Sequence, residues 1–172
     1  AVGVVMSWST GREFTDGTIV GLFAIPPALR TIATAKMLVT LSWAVLLGAS
    51  EAALLMTAGL LLGLGAVGAT GCFATLLLVS VVLSAGVLPV MWAATRWRGY
   101  LAGIGLTLAI LVVTNLAAGF GLGTYTPWSI PVAWTMTHDD VSTLLLVVPV
   151  MTAVIGAWVT LRSWERLQLG TD

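Results

Sequence analysis

Four stretches of this chain, residues 37–62, 72–94, 100–119 and 143–161, are long and apolar enough to cross a lipid bilayer. A spanning helix needs roughly 20 apolar residues at about 1.5 Å of rise each. The composition agrees, with 59% hydrophobic and 8% charged residues, where a soluble domain carries about a quarter charged. The expected fold class is all-α: a polytopic transmembrane helix bundle of four full spans. Residues 1–8 are apolar but too few to span alone. They read as the end of a fifth helix whose beginning lies before Ala1. No internal repeat, low-complexity tract or linker divides the rest, so 1–172 is expected to form a single transmembrane domain.

The seven basic residues orient that bundle. Arg12, Arg30 and Lys36 precede the first long run, Arg96 and Arg98 sit between the second and third, and Arg162 and Arg166 come after the last. The loops at 63–71 and 121–142 contain neither Lys nor Arg. Positive charge stays on the cytoplasmic side of membrane proteins. Segments 9–36, 95–99 and 162–172 are therefore expected in the cytoplasm, with the C-terminus there, and the two uncharged loops outside. Tryptophan prefers the two interfaces, and its positions agree. Trp8, Trp43, Trp92, Trp97, Trp158 and Trp164 fall near the inner boundary, and Trp128 and Trp134 in the outer loop.

Within the spans, Gly59 with Gly63, Gly99 with Gly103, and Gly119 with Gly123 have the small-xxx-small spacing that lets helices approach closely. Pro89 and Pro149 remove backbone bonds inside spans and favour kinks. The single Cys72 excludes an intrachain disulfide and a cysteine zinc cluster, and the single His138 has no imidazole partner. No cofactor, metal or nucleic-acid partner is expected; the lipid bilayer is.

Residues 11–36, GREFTDGTIVGLFAIPPALRTIATAK, are too many for a tight turn and too apolar for a solvated linker. Asp16-Gly17 is a turn pair, and Thr15 or Asp16 is placed to cap the helix after it. Thr18 to Ile25 carries an apolar face, Pro26-Pro27 breaks it, and Pro27 suits the first turn of the next helix. The picture is a short amphipathic helix at the inner surface, then an elbow. By itself that describes an interfacial anchor as well as a docking element.

Glu13, then Asp16-Gly17-Thr18, an apolar helix, Pro26, Pro27, Arg30, and Lys36 at the foot of a span together resemble the cytoplasmic segment of type 2 ABC exporter permeases. The outer run Thr126-Pro127-Trp128-Ser129-Ile130-Pro131 and the basic end at Arg162 and Arg166 are similar to theirs too. The resemblance implies a six-helix permease lacking helix one and most of helix two here. It also implies a coupling helix that docks on a separate ATP-binding cassette subunit through Glu13, Asp16, Gly17, Thr18, Pro26 and Arg30, and a second permease subunit beside this one in the cell membrane. The sequence has no G-x-x-x-x-G-K-[ST] loop, so that ATPase site belongs to another chain. Glu13 and Asp16 also suit the N-terminal dipole of the coupling helix.

Glu51 stands alone as an ionisable group within an expected span, about 22 Å along the helix from Lys36. A charge there costs roughly 2.5–3.5 kcal/mol even on lenient scales. It reads either as lining of an export path or as a hydrogen-bonded or outward-reaching side chain. Asn115 reads as a bond to another helix, with pathway lining as the functional alternative. His138-Asp139-Asp140 suits the start of the last span. The outer segment 121–142 is apolar through Trp128, Ile130, Val132, Trp134 and Met136. It is expected to fold back as a bent, partly re-entrant element, Pro127 and Pro131 opposing a regular helix. Trp128, Pro131 and Trp134 then form either an outer gate or a static plug. One Glu, one Asn and one Cys make a poor set for an intramembrane enzyme. A secondary transporter, which wants several midplane ionisable groups, and a structural subunit are the alternatives to the exporter.

Overall fold

The computed structural model describes residues 1–63, 68–136 and 141–167. His138, Asp139, Asp140, the middle of the 63–71 loop and the last five residues lie outside them.

The first helix, α1 (Val2–Thr15), is longer than the expected stub because nothing between Trp8 and Thr15 breaks it. Arg12, Glu13 and Phe14 therefore belong to α1, and the segment connecting it to the next span shrinks from 9–36 to 16–28. Asp16 is the C-cap of α1 and not the N-cap of the next helix. The turn comes at Gly17, whose φ of +70° suits a residue without Cβ. The expected amphipathic helix is a single turn, α2 (Ile19–Leu22), with Thr18 as N-cap but no side-chain capping bond. Turns then lead to Pro26 and Pro27. Pro27 lies outside the first turn of α3 (Leu29–Leu61), which starts from an extended Ala28 with ψ of 141°.

α3 is one unbroken helix of 33 residues. It buries Ala33, Met37, Thr40, Ala44, Gly48 and Ala52, one stripe at three- and four-residue spacing. Its large side chains, among them Leu38, Leu46, Leu61 and Trp43, face outward. Small residues inside and leucines outside is the arrangement of a helix packed in lipid, where backbone proximity and dispersion replace the hydrophobic drive.

The second span is interrupted as its proline predicts. α4 (Ala69–Gly86) stops, Val87 and Leu88 turn, and α5 (Pro89–Arg96) continues. The third span, α6 (Tyr100–Gly119), has the expected bounds. In the outer segment a helix does form, α7 (Ile130–Met136). Pro131 is tolerated there because it falls in the first turn, where its missing N–H has no helical partner to lose. The last span opens with a 3-10 turn, Thr143–Leu146, and proceeds as α8 (Val147–Glu165), with Pro149 again in the first helical turn. Among the described residues, four helical segments qualify as spans: Leu29–Leu61, Thr70–Arg96, Tyr100–Gly119 and Thr143–Glu165.

α3 and α4 form a hairpin, α1 lies against α6, α5 and α3, and α8 packs on α5, α4 and α3. Met6, Met37, Leu88, Met91 and Ala153 fill the place where α1, α3, α5 and α8 converge. Glycines set the closest crossings. Gly103 on α6 lies directly against Ser7, and Gly11 on α1 against the backbone of Tyr100. A Cβ at Gly48 would come 2.6 Å from Ser80 Oγ, and one at Gly156 would come 2.6 Å from Pro89 Cδ. Of the three expected glycine pairs, Gly99 with Gly103 meets α1, whereas Gly119 has nothing within 4 Å.

Candidate functional site

At one end of the bundle the helix termini are fastened together. Glu13, in the last turn of α1, places Oε1 2.7 Å from the Lys36 ammonium on α3, both side chains more than four-fifths shielded. The same ammonium donates to the Ser9 carbonyl. Arg30 NH1 lies 2.8 Å from Glu165 Oε1, joining the start of α3 to the end of α8 in the open. Trp164 is fully buried. Its Nε1 donates to Thr95 Oγ1 at 2.9 Å, and that hydroxyl donates to the Met91 carbonyl at 2.8 Å. Phe14 and Trp164 meet in a T-shaped arrangement with ring centroids 6.3 Å apart. These bonds tie α1, α3, α5 and α8 at a common level, and all seven basic residues lie at this end. Arg12 stacks over Trp8 and Arg162 over Trp158, at 4.6 and 5.1 Å, anchors suited to a membrane interface. Between the fastened ends the 16–28 connector stands exposed, with Asp16, Gly17, Thr18 and Pro26 all open to solvent.

Higher in the bundle lies a cavity of about 870 Å³ between the start of α1 (Ala1, Val2 and Gly3), α3, α4, α6 and the outer segment. Glu51 and Asn115, 64 residues apart in sequence, both line it. α3 adds Ser50, α4 adds Ser80 and Ser84, and α6 adds Thr107 and Thr114, among apolar walls that include Leu54 and Ile110. Several of these groups have committed their hydrogens to their own helix. Ser50 Oγ donates to Leu46 O, Thr107 Oγ1 to Gly103 O and Thr114 Oγ1 to Ile110 O, at 2.8, 2.9 and 2.7 Å. Asn115 Nδ2 donates to Leu111 O at 2.8 Å, within its own helix and not across to another. No basic side chain lines the cavity among the described residues.

The outer segment descends into the bundle and forms part of that cavity's wall through Trp128 and Val132. Its reason for stopping there is the interrupted span. Pro89 has no N–H, and beyond it Val90 N–H bonds to Val87 O and Met91 N–H to Leu88 O, so the Gly86 carbonyl loses its usual helical donor. Trp128 Nε1 donates to that carbonyl at 2.9 Å. Gly86 is about 26 Å along α4 from Ala69, so the contact lies deep. Ser129, buried, closes the turn above with bonds to Gly123 O and to Thr126 Oγ1. Pro131 is buried behind it and Trp134 is half-buried on α7.

Three groupings thus emerge from the residues singled out in the sequence. Asp16, Gly17, Thr18 and Pro26 share the connector, with Glu13 and Arg30 at its two attachments. Glu51 and Asn115 share the cavity. Trp128 and Pro131 share the inserted segment. Sequence reasoning missed the partners: Lys36 for Glu13, Glu165 for Arg30, Thr95 for Trp164 and Gly86 for Trp128. It missed the cavity hydroxyls as well, although Ser80 with Ser84 and Thr107 with Thr114 recur on single helix faces, a spacing as readable as that of the glycine pairs.

An inside-out bundle with four described spans, one of them broken, an inserted outer segment and a rim of basic residues is a multi-pass membrane protein enclosing a largely apolar cavity that carries a few polar groups. The chain belongs to the ABC-2 family: the family model described as ABC-2 family transporter protein matches residues 1–115, 115 of its 172 residues. It is accordingly a membrane permease of the ABC transporter kind, a transport component of a family that normally works with an ATP-binding subunit. No curated protein and no solved structure matches the chain.

Proposed function

We propose that this permease is the membrane-spanning subunit of an ATP-driven exporter in the cell membrane, moved by a separate ATP-binding cassette subunit that docks on the 16–28 connector. One observation carries the reading. The connector is exposed except for the half-buried Ile19 and Leu22, yet each of its ends is joined to the bundle by an ion pair, Glu13 with Lys36 and Arg30 with Glu165. A push on α2 therefore reaches α1, α3 and α8 together, and through Phe14, Trp164 and Thr95 it reaches α5, the half of the broken span beyond the break. In this scheme Asp16, Gly17, Thr18 and Pro26 meet the ATPase, while Glu13 and Arg30 transmit. The basic rim and the C-terminus face the cytoplasm, as the positive-inside rule requires. The whole chain acts as one transmembrane domain paired with a second permease subunit. Glu51 and Asn115 line the export path, and Trp128, Pro131 and Trp134 close its outer end.

Copurification is the first test: the full-length permease should bring down an ATP-binding subunit, and deleting the connector turn 17–27 should release it with the permease still inserted. Glu13→Ala combined with Asp16→Ala should lower transport by more than it lowers insertion or expression, the stranded Lys36 ammonium accounting for some loss of the latter. Normal transport by an assembled double variant would show that coupling runs elsewhere.

A further inference from the structure

The donors and acceptors of the cavity are unequally matched, and that imbalance selects a ligand. Its single charged side chain is the Glu51 carboxylate, and no Lys, Arg or His faces it among the described lining residues. Ser50, Thr107 and Thr114 donate their hydroxyl hydrogens to their own helices, which leaves oxygen lone pairs as what they offer inward. Trp128 donates its indole hydrogen to Gly86, leaving the face of the ring as its polar contribution. Ring faces, lone pairs and a carboxylate all attract positive charge; Ser80, Ser84 and the second amide hydrogen of Asn115 add neutral polar groups, and most of the remaining wall is apolar. We propose that this cavity binds an amphipathic organic cation, its positive centre at Glu51 and Trp128 and its apolar body along Leu54, Leu83 and Ile110.

Charge complementarity carries the assignment. A carboxylate inside a bilayer is costly without a partner, and a bound cation supplies one. An anion would meet the Glu51 carboxylate as repulsion with no Lys, Arg or His in the described lining to offset it, and a neutral lipid would leave the carboxylate uncompensated. The volume of about 870 Å³ lies within the range of small-molecule sites, roughly 300–1,000 Å³. The proposal rests on the exporter reading only for the purpose of binding, and the two fail separately.

Tetraphenylphosphonium and tetraphenylborate, alike in shape and opposite in charge, are suitable probes. Equilibrium binding should be measured on the full-length permease with its ATP-binding partner in nanodiscs. Tetraphenylphosphonium should bind saturably and tetraphenylborate should not. Glu51→Gln should weaken the cation by about tenfold or more, and Glu51→Asp should restore most of it. Equal affinity in Glu51→Gln, or equal binding of the borate, overturns the proposal. A Thr114→Cys reporter in a Cys72→Ala background should react with a small maleimide and be protected by the cation. If that cysteine is inert without ligand, the cavity is closed to solutes and the proposal fails. Export is read apart, as ATP-dependent accumulation of the cation in inverted vesicles. Glu51-dependent binding without accumulation refutes the exporter and keeps the ligand class; accumulation indifferent to Glu51→Gln does the reverse.

Discussion

Replacing Gly156 by alanine tests the packing of the broken span. The added Cβ would lie 2.6 Å from Pro89 Cδ, 2.7 Å from Cγ and 2.7 Å from the proline nitrogen. Carbon atoms pack at about 3.5–4.0 Å, so α8 and α5 have to separate by roughly 1 Å. Neither partner yields easily, since the obstacle is a ring closed onto backbone at the first residue of α5. The separation also pulls on Ala153 against Met91 in the core and on the Trp164 to Thr95 bond. Overpacking of this kind costs about 1–3 kcal/mol. Alanine in a helix interior returns up to about 1 kcal/mol through propensity. Gly105→Ala isolates that second effect, because Gly105 is on α6 with nothing within 4 Å of a built Cβ. Equilibrium unfolding in mixed micelles, monitored by tryptophan fluorescence, should show Gly105→Ala unchanged or slightly stabilised. Gly156→Ala should be destabilised relative to it by about 1–3 kcal/mol. Two variants within about 0.5 kcal/mol of each other would refute the close approach of α8 to Pro89.

Trp164→Phe keeps a ring in the buried site but leaves Thr95 Oγ1 without its donor. It should cost about 1 kcal/mol in the same unfolding assay, and no loss would mean that the bond is not formed. Trp128→Phe abandons the Gly86 carbonyl. It should increase iodoacetamide labelling of a cysteine placed at Val132 by severalfold, as the outer segment loosens from the interrupted span. For orientation, a cysteine at Thr124 in a Cys72→Ala background should react with an impermeant thiol reagent in intact cells and one at Asp16 should not. Labelling of the Asp16 position alone would invert the topology.

How much of the fold is legible in the sequence depends on the scale of the signal. Long apolar runs define α6 to the residue, and Pro89 announces the break after Gly86, because burial in lipid and a missing N–H act locally. The end of α1 lies seven residues beyond the expected stub since no breaker precedes Asp16-Gly17, and the charges at Arg12 and Glu13 look like a departure from the membrane. In the fold Glu13 stays helical by pairing with Lys36, 23 positions on, and that is tertiary information. Pro131 looks like an obstacle to a helix, yet its position in the first turn makes it harmless. The cavity shows the same limit. Glu51 and Asn115 are each visible as unusual, but their sharing one cavity depends on how α3 and α6 both pack against α1.

The length of α3 has a consequence for the membrane itself. From Met37 to Leu61 the helix is apolar over about 38 Å, against a hydrocarbon core of about 30 Å, and Leu61 at its end is 84% exposed. Such hydrophobic mismatch is met by tilting, by thickening the nearby lipid or by both. A rigid rod would need to lean by roughly 40°, the upper end of tilts seen for membrane helices. Because α3 starts at the elbow and is clamped there through Arg30 and Lys36, leaning moves its outer end and the α3–α4 hairpin against α6. The width of the cavity is thereby linked to acyl-chain length, so thin and thick bilayers should hold this permease with different openings even when nothing else in its surroundings changes.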